Sequence, residues 1–435
     1  MKEQTNSTLT ERTDPLLQER LYTTKLACGL TVAIIVKPGF HEKTARIATH
    51  YGSIDSRFIH PETGEEIQVP DGIAHFLEHK LFEKEWGNVS DKFSELGAEA
   101  NAYTTYTHTV YYFNTTDRWE ESLDLLLDYV QTPWFTDESV EKEQGIIEQE
   151  IRMYLDDPGW RSNANLLEAL YQEHPLRIDI AGTVESIHQI DKETLTLCHK
   201  TFYHPSNMVL FVAGDVDPEA TLARVKAAFD TKGYKPQAEI KRLMPKEPTA
   251  PAEKRREQAL VVNQPIFRLG FKDPTPTKTG RELLAHDLLT AMAVDVVAGR
   301  SSPLYTELYE AGLIDQRFGF EYSCDETWAY SYFAGMTRDP EALHERLSAG
   351  IQQAVDQGLS PEAFERIKRK TIGRMVGMMN DLDSIAWLFI DSYFKEMDVF
   401  DLIPVASELT VEQANQRLRE HFRPEQAAVS LIKPK

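Results

Sequence analysis

The sequence predicts an α+β fold made twice: two homologous domains of about 220 residues, each a mainly antiparallel β-sheet packed with α-helices. Three observations carry this. Strand-like and helical patterns follow one another within the first half of the chain. A charged stretch with three prolines and few apolar residues, residues 238–258, has the composition of a linker. The two halves also end alike, in Phe202-Tyr-His-Pro-Ser-Asn-Met-Val-Leu-Phe-Val-Ala213 and His421-Phe-Arg-Pro-Glu-Gln-Ala-Ala-Val-Ser-Leu-Ile432, with Pro205 and Pro424 separated by 219 positions. Each ending follows a helical stretch and sets a proline before an apolar strand-like run. The expected division is a first domain over 20–237, a linker over 238–258 and a second domain over 259–435.

Taken in order, Gly29–Val36 and Thr44–Tyr51 are rich in β-branched and aromatic residues and predict strands. Residues 71–81 predict a helix with Ile73, Phe76, Leu77 and Leu81 as its apolar stripe. Thr107–Phe113 predicts another strand. Trp119–Val130 carries Leu123, Leu126, Leu127 and Val130 at the i, i+3, i+4, i+7 spacing of a half-buried helix, and Thr136–Leu155 is a long acidic helical stretch.

Composition narrows the function. A chain of 435 residues with 41% hydrophobic and 27% charged residues can build large cores without covalent staples. Cys28, Cys198 and Cys324 are odd in number and far apart, which suggests neither a disulfide framework nor a thiolate metal site. The first twenty residues lack the apolar centre of a signal peptide, and no stretch has 18 uncharged apolar residues, so a cytoplasmic setting without membrane insertion is expected. A net charge of −22 argues against nucleic acid as a partner, because that affinity depends on Lys and Arg displacing counterions from phosphates.

The most specific chemistry lies in Asp71-Gly-Ile-Ala-His-Phe-Leu-Glu-His-Lys80. His75 and His79 are four apart on the expected helix, so both imidazoles can reach one metal ion, with Glu78 beside them. Two imidazoles and a carboxylate suit zinc, which in hydrolytic sites keeps one position open for water. A third ligand is sought in Glu141-Lys-Glu-Gln-Gly-Ile-Ile-Glu-Gln-Glu150, where Glu143 and Glu150 are two helical turns apart. Spacing alone leaves Glu143, Glu148 and Glu150 open. At the 219-residue offset, the second half has Val294, Val297 and Ala298 in place of the motif, so one Zn2+ per chain is expected.

Four segments together resemble the pitrilysin or insulinase-like peptidases, the inverted zincins, and in particular their short bacterial two-subunit members. They are His75-Phe-Leu-Glu-His79, Asn101-Ala-Tyr-Thr-Thr-Tyr-Thr-His-Thr-Val-Tyr-Tyr112, Glu141–Glu150, and Tyr203-His-Pro-Ser-Asn-Met-Val-Leu-Phe-Val-Ala-Gly-Asp215. The resemblance implies a zinc-dependent endopeptidase with His75, His79 and Glu150 as metal ligands and Glu143 orienting a ligating histidine. Glu78 would be the general base for the attacking water, and Asn101 and Ala102 would lie on a sheet edge to which an extended peptide adds as a strand.

One departure matters. Family members that complete the site in a single chain supply an Arg and a Tyr, seven apart, from the second half. The corresponding segment here is Ser302–Asp315, with Tyr309 at the Arg position and Asp315 near the Tyr position. By similarity to two-subunit members, a homologous second subunit would bring the missing Arg and Tyr and close a clam-shell chamber over peptide substrates. A homodimer in which Arg300 or Arg317 substitutes is the lesser alternative. A non-catalytic assembly or scaffold protein of the same fold is the competing function.

Overall fold

The computed structural model describes residues 8–274 and 278–435, which divide into two compact units. Unit 1 comprises residues up to 151, 179–243 and 378–394; unit 2 comprises 152–178, 244–377 and 395–435.

The sheet of unit 1 contains β1 (Thr10–Thr13), β2 (Arg20–Lys25), β3 (Thr31–Val36), β4 (Lys43–Thr49), β5 (Ala98–Thr104), β6 (Thr109–Thr115) and β7 (Met208–Gly214). Their spatial order is β1-β2-β3-β7-β4-β6-β5, and only the β3–β7 pair is parallel. In unit 2, β8 (Arg255–Leu260), β9 (Ile266–Lys272), β10 (Gly319–Cys324), β11 (Ala329–Met336) and β12 (Ala427–Pro434) are ordered β8-β12-β9-β11-β10. Again only the first pair, β8–β12, is parallel. Matching β3, β4, β5, β6 and β7 to β8, β9, β10, β11 and β12 preserves neighbours, directions and chain order, so one plan is used twice.

The helices repeat as well. α1 (Ile73–Phe82), α2 (Val89–Glu95), α3 (Trp119–Gln131), α4 (Asp137–Asp156), α5 (Pro158–Leu170), α6 (Lys192–Phe202) and α7 (Pro218–Asp230) belong to the first half of the sequence. The second half contributes α8 (Gly280–Ala298), α9 (Pro303–Glu310), α10 (Pro340–Gln357), α11 (Pro361–Met378), α12 (Leu382–Phe394) and α13 (Val411–His421). Two helices leave their own half: α5 packs on β9 and β12 in unit 2, and α12 packs on β4 and β7 in unit 1. Phe389 of α12 stacks on Phe211 at 4.7 Å, and Arg46 donates to Asp383. In unit 2, Gly270 of β9 leaves the space that the Leu166 side chain of α5 fills; an added Cβ would lie 2.8 Å from it.

The predicted strands and helices are found with shifted ends. Thr107 and His108 fall in the turn before β6, where His108 and Thr107 amides are held by the Thr105 hydroxyl. Residues 238–258, expected to be a linker, include a two-residue strand, Lys241–Arg242, and the start of β8. Lys241 and Arg242 pair with Ile59 and Phe58, so charged composition did not prevent backbone pairing.

Candidate metal centre

Packing fixes α1. Ile73, Phe76, Leu77 and Leu81 are buried, and each large apolar side chain removed from water contributes about 1.5–3 kcal/mol. Its entry is equally constrained, because Gly72 sits at φ 89° with an added Cβ only 2.4 Å from the Ala181 carbonyl oxygen. Ser186 donates to the Asp71 carbonyl at 2.8 Å, tying this turn to residues 182–186.

With α1 seated, His75 and His79 point to one place, their ring centroids 4.5 Å apart. α4 brings Glu150 to the same point. His75 Nε2 lies 3.9 Å from Glu150 Oε1, and His79 Nε2 lies 3.5 Å from Glu150 Oε2. These separations are long for hydrogen bonds. They suit ligands of one zinc ion, since donors about 2.0–2.2 Å from a tetrahedral centre are roughly 3.4 Å from one another. Among the described residues, His75, His79 and Glu150 are the one group of three or more His, Cys, Asp or Glu whose ligand atoms converge, all within 4.8 Å.

The other carboxylates have separate positions. Glu143 is buried and contacts His79 Nδ1 at 3.0 Å, the nitrogen turned away from Glu150, so it fixes the ring and leaves Nε2 free. Glu148 is on another side of α4, 3.1 Å from His188 Nε2, and joins no cluster with His75 and His79. Glu78 accepts a hydrogen bond from Thr104 Oγ1 at 2.6 Å. Asn101 and Ala102 lie on β5, the edge strand, where Ala102 N donates to Asn101 Oδ1 at 2.8 Å.

Electrostatics separate these groups. Burial, with help from neighbouring His79, pushes His75 down to about 3, which keeps its imidazole neutral at physiological pH. For His79 burial also disfavours charge, but Glu143, Glu78 and Glu150 outweigh it and raise the ring above its ordinary value. Burial raises Glu78 above the usual carboxylate range, against the opposing hydrogen bond from Thr104. A groove of 680 Å³ opens beside Glu78 and His79, with Phe82, Trp134, Ile146 and Asn101 in its lining.

Thr104 was not singled out from the sequence, although strand alternation from Ala102 places it on the same face of β5. In unit 2, Val294, Val297 and Ala298 are buried apolar residues of α8. Tyr309 is exposed, and Asp315 pairs with Arg317.

The sequence matches the model of Insulinase (Peptidase family M16) over residues 64–184 and that of Peptidase M16 inactive domain over 189–371. It is 42% identical to the uncharacterized zinc protease YmfH of Bacillus subtilis, covering 96% of this chain and 98% of the relative. The uncharacterized zinc protease YmxG of the same organism is 25% identical over 86% of this chain and 91% of that protein. The fold matches an M16-like peptidase crystal structure from Alicyclobacillus acidocaldarius with TM-score 0.92 and 38% identity, over 96% of this chain and 99% of the other. It also matches pitrilysin with TM-score 0.75 and 18% identity, where 99% of this chain covers 47% of that one. The chain therefore belongs to peptidase family M16, the insulinase family.

Proposed function

We propose that this chain is the zinc-bearing subunit of a metalloendopeptidase that cleaves extended peptides in the cytoplasm. The observation that carries the reading is the convergence of His75, His79 and Glu150, with Glu78 held beside them and left out of the cluster. His75 Nε2, His79 Nε2 and the Glu150 carboxylate would hold one Zn2+, and Glu143 positions His79. Bound there, zinc supplies a Lewis acid that polarises a peptide carbonyl and makes water acidic enough to attack near neutral pH. Thr104 fixes Glu78 Oε2, leaving Oε1 to accept a proton from the attacking water and deliver it to the leaving amide nitrogen. β5 is the edge strand of its sheet, so an extended substrate could add along Asn101 and Ala102 and take the place of the Asn101 side chain that accepts from Ala102 N, which favours peptides and unfolded segments with little dependence on sequence.

Tyr309 and Asp315 leave unit 2 without a cation and a phenol at the two positions where the family's complete chains carry them. Removing one donor aimed at developing charge costs about 10²–10³ in rate, so a homologous partner subunit supplying Arg and Tyr is the remedy proposed here. The same gap is the one observation on the side of a scaffold reading, and the complete His75, Glu78 and His79 set stands against it. Purifying the protein from its native host, identifying what co-elutes, and assaying the complex on a peptide mixture separates the two. Cleavage that stops on zinc removal supports the peptidase; a zinc-loaded complex that cleaves no peptide supports the scaffold.

A further inference from the structure

The repeat gives unit 2 its own version of the metal groove. α8, α9, the start of β10 and α11 line a cavity of 640 Å³, where the corresponding elements α1, α2, β5 and α4 line the 680 Å³ groove of unit 1. The chemistry is exchanged. Where the first groove has His79 and four glutamates beside Lys84 and Lys142, the second cavity presents Arg300, Arg317 and Lys370 beside a lone Asp295.

We propose that this cavity captures the C-terminal carboxylate of a peptide whose last side chain is apolar. Only the choice of a peptide as ligand rests on the peptidase reading. Each cation is oriented by one partner: Arg300 donates to the Gln316 carbonyl at 2.9 Å, Arg317 Nε to Asp315 at 3.0 Å, and Lys370 to Asp295 at 2.7 Å. A guanidinium carries five N–H donors, so these contacts aim the two arginines without exhausting them. The Arg317 and Lys370 side chains remain 68% and 60% exposed, within reach of a ligand from solvent. Three cations against Asp295 and Asp315 leave a local positive excess on a chain whose net charge is −22. Planar guanidinium groups match a carboxylate bidentately. Phe318 and Phe320, two residues apart, form an apolar wall beside the cations. A carboxylate next to an apolar side chain is the chemistry offered by the last residue of such a peptide.

The test uses full-length, zinc-loaded Glu78→Gln protein, so that binding is read without turnover. Two fluorescently labelled peptides ending in Leu, one with a free carboxylate and one amidated, are titrated by anisotropy at low salt. The free acid is expected to bind about five- to tenfold tighter, a discounted figure for solvent-exposed charge pairs. The combined variant Arg300→Ala, Arg317→Ala, Lys370→Ala should bind both peptides alike while melting at the parent temperature. Equal binding of acid and amide by the parent overturns the proposal. So does a preference that survives in the combined variant, which would locate the carboxylate elsewhere. Absence of cleavage by the zinc-loaded native complex, with this preference intact in the chain, would instead overturn the peptidase reading and leave the carboxylate site standing.

Discussion

Replacing Glu143 with alanine should weaken zinc binding while the protein stays folded. The Glu143 carboxylate meets His79 Nδ1 at 3.0 Å, and its side chain is only 10% exposed, so solvent screens the contact little. A hydrogen bond to a charged group in such a setting is worth about 1.5–3 kcal/mol. Loss of an outer carboxylate that fixes a ligating histidine typically costs 10–100-fold in metal affinity, or about 1.4–2.7 kcal/mol, the same range. Glu143→Gln keeps an acceptor oxygen without the charge, so its loss should be smaller, on the order of three- to tenfold. The assay is competition for zinc against a chromophoric chelator, with far-UV circular dichroism to verify folding. Glu148→Ala serves as the control, since Glu148 faces His188. If Glu143→Ala binds zinc as tightly as the parent, or Glu148→Ala loses as much, the assignment of the carboxylates is wrong.

Three further outcomes follow from the packing. Gly72→Ala would place a Cβ 2.4 Å from the Ala181 carbonyl at a positive φ, so it should destabilise by at least about 2 kcal/mol and lower zinc occupancy, measured by urea unfolding and metal analysis. Asp273→Ala should cost about 3–5 kcal/mol, because it strips buried Arg417 of its carboxylate partner within a network that also includes His286 and Tyr322; a change below 1 kcal/mol would refute this. Acid should unfold the metal-free protein early. Burial holds His199 neutral down to about 4, and burial with Arg417 beside it holds His421 neutral down to about 3, against an ordinary value of 6.5. The unfolded chain takes up these protons first, so stability is full above pH 6.5 and falls toward pH 4 by about 1.4 kcal/mol per pH unit for each histidine. Thermal melts across this window check it, and a flat melting temperature would contradict it.

Much of the centre was legible in the sequence because α1 is local: ten residues hold both histidines, Glu78 and the apolar stripe that buries them. Spacing leaves the choice among the glutamates open, whereas rotation about the helix axis narrows it. Val140, Ile147 and Ile151 define the inward stripe of α4, and Glu143 and Glu150 flank it on one side, while Glu148 lies about 160° around the helix from Glu150. Rotation therefore sets Glu143 and Glu150 on one side of α4, apart from Glu148. The exchange of α5 and α12 between sheets was not legible. An amphipathic helix advertises that one face will be buried, and its sequence does not name the sheet that buries it. The strand-like endings did identify the repeat, since β7 and β12 are each interior strands, paired on both sides, and are apolar through most of their length.

The most direct test compares the parent complex with its Glu78→Gln form, measuring zinc per chain and the rate of peptide cleavage on the same samples. One zinc per chain in both, with cleavage in the parent reduced at least about 10²-fold in the variant, is the result expected of a metal held by His75, His79 and Glu150 and a proton carried by Glu78. A parent that holds no zinc, or a variant that cleaves as fast as the parent, would contradict it.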